Sequence, residues 1–168
     1  MIFVTVGTHE QQFDRLVCRM DKLKMGGMIE EEVIIQTGYG TYKPKTCAWK
    51  PFFPYQDMVR HVKSARIVIT HGGPSSFMLP LQMGKVPVVV PRLKCFGEHV
   101  NDHQMLFVKK VSQRYRNIIM VTEMNELGNV IKDYDALVAG ISREYKNNNV
   151  AFNERFTKMA YELMRDKK

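Results

Sequence analysis

Apolar positions along this chain fall into two alternating rhythms. Short runs recur with almost no polar interruption: Ile2-Phe3-Val4-Thr5-Val6, Val33-Ile34-Ile35, Ile67-Val68-Ile69-Thr70, Val88-Val89-Val90 and Ile118-Ile119-Met120-Val121. Such runs, bounded by Gly and Pro, read as strands covered on both faces. Between them the spacing turns helical. Phe13, Leu16, Val17, Met20 and Leu23 make one stripe, and Gly26-Gly27 ends it. Met58, Val59 and Val62 give residues 55–64 a buried side, and residues 100–113 and 123–133 also read as helices. Residues 39–54 are the least regular part, with Pro44, Pro51, Pro54 and five aromatics, and Cys47-Ala48-Trp49 is a candidate short strand within them. Far downstream, residues 149–165 set Phe152, Phe156, Met159, Ala160 and Leu163 on one helical face, with Arg155, Lys158, Glu162 and Arg165 on the other.

Strands and helices alternating at this spacing predict an α/β fold: an open, mainly parallel, Rossmann-like sheet with helices on both faces. No repeat, linker or low-complexity tract divides the chain, so residues 1–168 read as a single domain. No apolar run approaches the roughly 20 residues of a membrane span. The opening residues read as a strand rather than a leader. Cys18, Cys47 and Cys95 are odd in number and lack metal-ligand spacing, which fits reduced thiols in a cytoplasmic protein. The net charge of +8 suits a polyanion, a nucleotide-sugar or an anionic membrane surface. No nucleic-acid recognition motif accompanies it, so no nucleic-acid partner is expected.

The candidate chemistry gathers in residues 67–104. The run ending at Thr70 breaks at His71-Gly72-Gly73-Pro74, and Ser75-Ser76 then open an apolar helix. Glycines let backbone approach an anion, helix N-termini attract phosphate, and Pro fits the first helical position. His71, Gly72, Gly73, Ser75 and Ser76 are therefore candidate phosphate-binding residues. After the fifth strand come Glu98, His99, Asn101, Asp102, His103 and Gln104, a polar loop at the edge where such sheets bind ligands. His99 and His103 lack a third metal ligand, and no metal cofactor is expected. Gly7 and Thr8 end the first strand, and His9 and Glu10 behind them are candidate bases or hydroxyl ligands. Walker, GxGxxG and GxSxG patterns are absent. The aromatics Trp49, Phe52, Phe53 and Tyr55 read as core and turn packing.

The elements VTVGTHEQQFDRLV, ITHGGPSSF, GKVPVVVPR and GEHVNDHQ resemble the soluble glycosyltransferase subunits of bacterial capsule and exopolysaccharide synthesis. They are also similar to the catalytic subunit of the dolichol-linked N-acetylglucosamine transferase, and to the C-terminal half of the peptidoglycan lipid-precursor transferase. The resemblance implies one half of a GT-B enzyme split into two polypeptides. This chain would bind the nucleotide-sugar, and a membrane-associated partner would bind a lipid-linked saccharide acceptor and hold the complex at the inner face of the plasma membrane. It further implies inverting, metal-independent transfer of galactose from UDP-galactose in a β-1,4 linkage. By position, Gly7, Thr8 and the His71–Ser76 block would lie by the diphosphate, while Glu98, Asn101, His103 and Gln104 would face the sugar and cleft. Broader relatives carry a ribose-binding acid after the glycine loop, where this chain has Phe77-Met78-Leu79-Pro80. A non-catalytic nucleotide-sugar-binding module is the alternative reading.

Overall fold

The computed structural model describes residues 1–141, so the helix expected over 149–165 lies outside the described residues. Six parallel strands form one sheet: β1 (Ile2–Thr5), β2 (Val33–Gln36), β3 (Ala48–Lys50), β4 (Ile67–His71), β5 (Val88–Val90) and β6 (Ile119–Met120). Their order is β3-β2-β1-β4-β5-β6. The chain moves outward from β1 in one direction, then crosses back and continues from β4 in the other. That reversal parts the connections on either side of β1 and β4, which opens a crevice at their carboxyl ends.

Alternate residues of each strand face opposite sides, so the inner strands feed two cores, while edge strand β3 packs only Trp49. Ile2, Val4, Ile35, Ile67, Ile69, Val88 and Val90 face one side and pack with Leu16, Val17 and Met20 of helix α1 (Asp14–Met25). Helices α5 (Leu127–Lys132) and α6 (Tyr134–Ala139) complete that layer through Leu127, Ile131 and Tyr134. On the opposite side Phe3 and Val68 meet Val62 of α2 (Tyr55–Ser64). There Val89 also meets Phe77 and Leu81 of α3 (Pro74–Gln82) and Val108 of α4 (His103–Tyr115). Two-sided burial explains the unbroken apolar strands.

Two boundaries differ from the sequence expectation. The helix expected over 100–113 begins only at His103, because Asn101 Oδ1 accepts the His103 N–H and Asp102 Oδ1 accepts the Lys94 N–H, holding 94–102 as a loop. The helix expected over 123–133 is shorter and is followed at once by α6, with the break at Asp133.

Candidate functional site

A pocket of about 660 Å³ opens at the carboxyl ends of β1, β2 and β4. Thr5, Gly7, Thr8 and His9 come from the end of β1, Gln36 from β2, and His71, Ser75 and Ser76 from the β4–α3 turn. His99 and Gln104 arrive from beyond β5. Phe53, Tyr55, Met58, Val62 and Leu79 form an apolar wall.

His71 organises the polar side. Its ring is 8% exposed, and a Cβ on Gly7 would stand 2.3 Å from its Nε2, a Cβ on Gly73 2.2 Å from its Cε1. Gly7 also has φ of +75°, a conformation that only glycine adopts freely. Both glycines are there because the imidazole lies between their backbones. Burial and the charge of Arg92 push the His71 pKa down to about 4, so the ring is neutral. Its Nδ1 accepts the Gly73 N–H at 3.0 Å, which leaves the ring proton on Nε2. Nε2 lies 2.8 Å from Ser76 Oγ and donates to it. The Ser76 hydroxyl proton is thereby free to point into the pocket.

Gln104 is oriented in the same way. Its Oε1 accepts two backbone N–H groups, from Gly72 at 3.1 Å and Arg92 at 3.2 Å. The side-chain amide N–H₂ is left as a donor on the pocket wall. Gln36 bridges the other side: Nε2 donates to Thr5 Oγ1 and the Gly7 carbonyl, and Oε1 accepts the Phe53 N–H. That last bond pins the aromatic wall to the end of β2. Phe53 and Tyr55, expected only to pack, also line the pocket.

Several expected residues stand elsewhere. Glu98 is fully buried, and its carboxylate accepts Arg15 Nε at 2.8 Å, Arg15 Nη2 at 3.0 Å and the Leu93 N–H at 3.0 Å. It holds the loop from beneath and does not face a sugar. Asn101 Oδ1 accepts the His103 N–H just ahead of α4, and His103 is exposed and outside the lining. Glu10 is exposed and also outside it, while His9 is within. The N–H groups of Gly72 and Gly73 are spent on Gln104 and His71, so these glycines serve close packing; a Cβ on Gly72 would lie 2.9 Å from Val108 Cγ2. Among the described residues no group of three or more His, Cys, Asp or Glu could hold a metal.

Two arginines escaped the sequence reading. Arg92 is fully buried; Nη1 donates to the carbonyls of Gln11, Gln12 and Glu98, and Nη2 to that of Val6. Burial pushes its pKa down to about 10, which still leaves it charged. It ties the loops after β1 and β5 together, and Arg15 clamps Glu98 from α1. A charge placed directly after the wholly buried run Val88–Val90 and Pro91 was the available signal for Arg92.

Residues 1–163 match the family described as the glycosyltransferase family 28 C-terminal domain. The chain belongs to this family. It is 32% identical over 118 residues to the UDP-N-acetylglucosamine transferase subunit ALG13 of Mus musculus, covering 65% of this chain and 10% of that protein. The Homo sapiens protein of the same name is 32% identical over 119 residues, covering 66% and 10%. The chain thus spans about a tenth of the length of these relatives. A solved structure, the glycotransferase of kitacinnamycin, superposes with a TM-score of 0.53 at 16% identity over 82% of this chain and 37% of that one. That likeness concerns the fold: a family 28 C-terminal domain is one Rossmann-like half of a GT-B glycosyltransferase. No described helix is long and apolar enough to cross a membrane.

Proposed function

We propose that this domain is the donor-binding, catalytic subunit of an inverting glycosyltransferase that takes a hexose from a UDP-sugar. UDP-galactose is the preferred donor, and the product is a β-1,4 linkage to a lipid-linked saccharide in capsule or exopolysaccharide synthesis. The acceptor half of the cleft comes from a membrane-associated partner subunit, which holds this cytoplasmic chain at the inner face of the plasma membrane. One observation carries the reading: at the strand-order reversal, the buried His71 ring holds the Ser76 hydroxyl, 2.8 Å from its Nε2, in the lining of a pocket with an apolar aromatic wall. The nucleoside lies against Phe53 and Tyr55, and the diphosphate meets Ser75, Ser76, Thr8 and the start of α3. No metal takes part. The name of the ALG13 relatives supports a subunit that works with another chain, and makes UDP-N-acetylglucosamine the competing donor.

No carboxylate lines the pocket among the described residues. We assign the base that deprotonates the acceptor hydroxyl to the partner, with pocket-lining His9 as the candidate on this chain. Because half the cleft is missing, the isolated chain should show little turnover on a lipid-linked glucose acceptor. Calorimetric titration with UDP, UDP-galactose, UDP-N-acetylglucosamine and GDP-mannose tests donor binding directly. Selective uridine-nucleotide binding is expected, with Ser76→Ala weakening it about ten- to a hundredfold, the worth of a hydrogen bond to a charged group. Equal affinity for GDP-mannose, or an indifferent Ser76→Ala, would overturn the assignment.

A further inference from the structure

The pocket that is to take a diphosphate carries no permanent charge. Among the described residues its lining contains no Lys, Arg, Asp or Glu. Ser75, Ser76, Thr8, Gln104 and the N-terminus of α3 offer dipoles and neutral donors. A full positive charge would add to them in holding a diphosphate taken from water. Arg92 lies outside the lining, with both terminal nitrogens committed to backbone carbonyls. Three lining groups can become positive: His9, His71 and His99. His71 is excluded, because its Nδ1 accepts the Gly73 N–H and cannot also carry a proton.

The remaining two imidazoles are stacked on one another, with centroids 4.8 Å apart and planes at 22°. They reach the pocket from separate loops, one after β1 and one after β5. His9 Nε2 faces Gln11 Oε1 at 2.9 Å, an acceptor, so Nε2 holds the proton of the neutral ring and Nδ1 is open to a second. His99 Nδ1 receives the Asn101 N–H at 3.4 Å, which leaves its Nε2–H as a donor. The charged neighbours are accounted for. The Glu98 carboxylate beside His99 is spent on Arg15, Glu10 is exposed, and Arg92 bears on the pair only through its field. Burial, His9 and Arg92 lower the pKa of His99, in that order.

We propose that His9 and His99 form a one-proton clamp for the donor diphosphate. Binding of the nucleotide-sugar draws a single proton onto His9 Nδ1, while His99 stacks on the imidazolium and donates from its Nε2–H. His99 Nδ1 is engaged by the Asn101 N–H as His71 Nδ1 is by that of Gly73, so only His9 can take the proton, and the pair takes one. The inference rests on the donor-site reading and adds a specific property to it: affinity for a UDP-sugar rises as pH falls through the imidazole range, up to about tenfold per pH unit.

UDP-galactose and UDP-N-acetylglucosamine are suitable probes, because their bridging diphosphate does not itself titrate near neutral pH. The chain is titrated from pH 8 to pH 6 in buffers of different ionisation enthalpy, with uridine as an uncharged control. The clamp predicts up to one proton taken up per UDP-sugar bound, a pH-dependent affinity, and a flat profile for uridine. His9→Gln should abolish the uptake while uridine still binds, which separates loss of the clamp from loss of fold. His99→Gln should reduce UDP-sugar affinity and shift the pH midpoint. UDP-sugar binding that is flat with pH and releases or absorbs no proton overturns the clamp and leaves the donor site standing. Failure of uridine and both UDP-sugars to bind at every pH overturns the donor-site reading, and the clamp with it.

Discussion

Glu98 is where sequence and structure part most sharply, and Glu98→Gln is the variant that decides between them. The native carboxylate has no exposed surface and accepts three hydrogen bonds, two from Arg15 and one from the Leu93 N–H. Glutamine keeps the shape but turns one oxygen into a donor. If the amide nitrogen replaces Oε2, it confronts Arg15 Nη2 and the Leu93 N–H; if it replaces Oε1, it confronts Arg15 Nε. Either way the Arg15 charge loses its partner. Breaking a buried ion pair by removing one member costs about 3–5 kcal/mol. The Arg15 side chain is 16% exposed, so water recovers part of this, leaving a loss of roughly 2–4 kcal/mol. For a chain of this size each kcal/mol moves the midpoint by about 2–4 °C, so thermal unfolding should fall by roughly 4–16 °C. Adding Arg15→Met should cost less than the two single losses combined, because the uncompensated charge is then gone. A UDP-sugar titration well below both midpoints completes the test. An unchanged midpoint with lost sugar affinity would return Glu98 to the ligand and refute this reasoning.

Gly7→Ala should both destabilise the domain, by about 1–3 kcal/mol, and weaken UDP-sugar binding more than tenfold, because the new Cβ displaces the His71 ring that holds Ser76. Gly27→Ala is the control: its φ of +73° carries similar backbone strain, but nothing lies within 4 Å, so stability should fall by about 1–2 kcal/mol with calorimetric affinity unchanged. Asp21 accepts from Tyr42 Oη, the N–H groups of Lys45, Thr46 and Cys47, and Thr46 Oγ1. Burial alone would raise its pKa, but these bonds outweigh it and hold the carboxyl well below the usual range. A depressed folded-state pKa gives stability that is present above about pH 4 and lost as pH falls further. Asp21→Asn should therefore cost about 1–3 kcal/mol at neutral pH and flatten urea-unfolding stability below pH 4; an unchanged acid limb would refute the assignment.

The four inner strands were legible because they are buried on both faces, and two-sided burial leaves an unbroken apolar run that needs no partner to be recognised. β1, β2, β4 and β5 follow from Ile2–Thr5, Val33–Gln36, Ile67–His71 and Val88–Val90 in this way. Helix α3 was equally local: Gly73 precedes it and Pro74 takes its first position. His71, Ser75 and Ser76 could be singled out because the strand–turn–helix sequence itself creates an anion-accepting end. The start of α4 was less legible, because it depends on Asn101 and Asp102 engaging His103 and Lys94, a competition between polar side chains within one short segment.

What the sequence could not decide is which polar residues of a loop face inward to the fold and which face the pocket. Glu98 and His99 are adjacent, yet one is sealed against Arg15, 83 positions away, and the other stacks on His9 in the pocket. Gly7 and Gly73 read as phosphate-approach glycines, but the tertiary structure gives them to the His71 ring. Arg92 escaped the sequence reading, and only the convergence of four backbone carbonyls makes its burial tolerable. Periodicity records how much of an element is buried, which is a local average. The direction and charge state of a single polar side chain depend on partners brought from distant segments, and those exist only once the sheet has assembled.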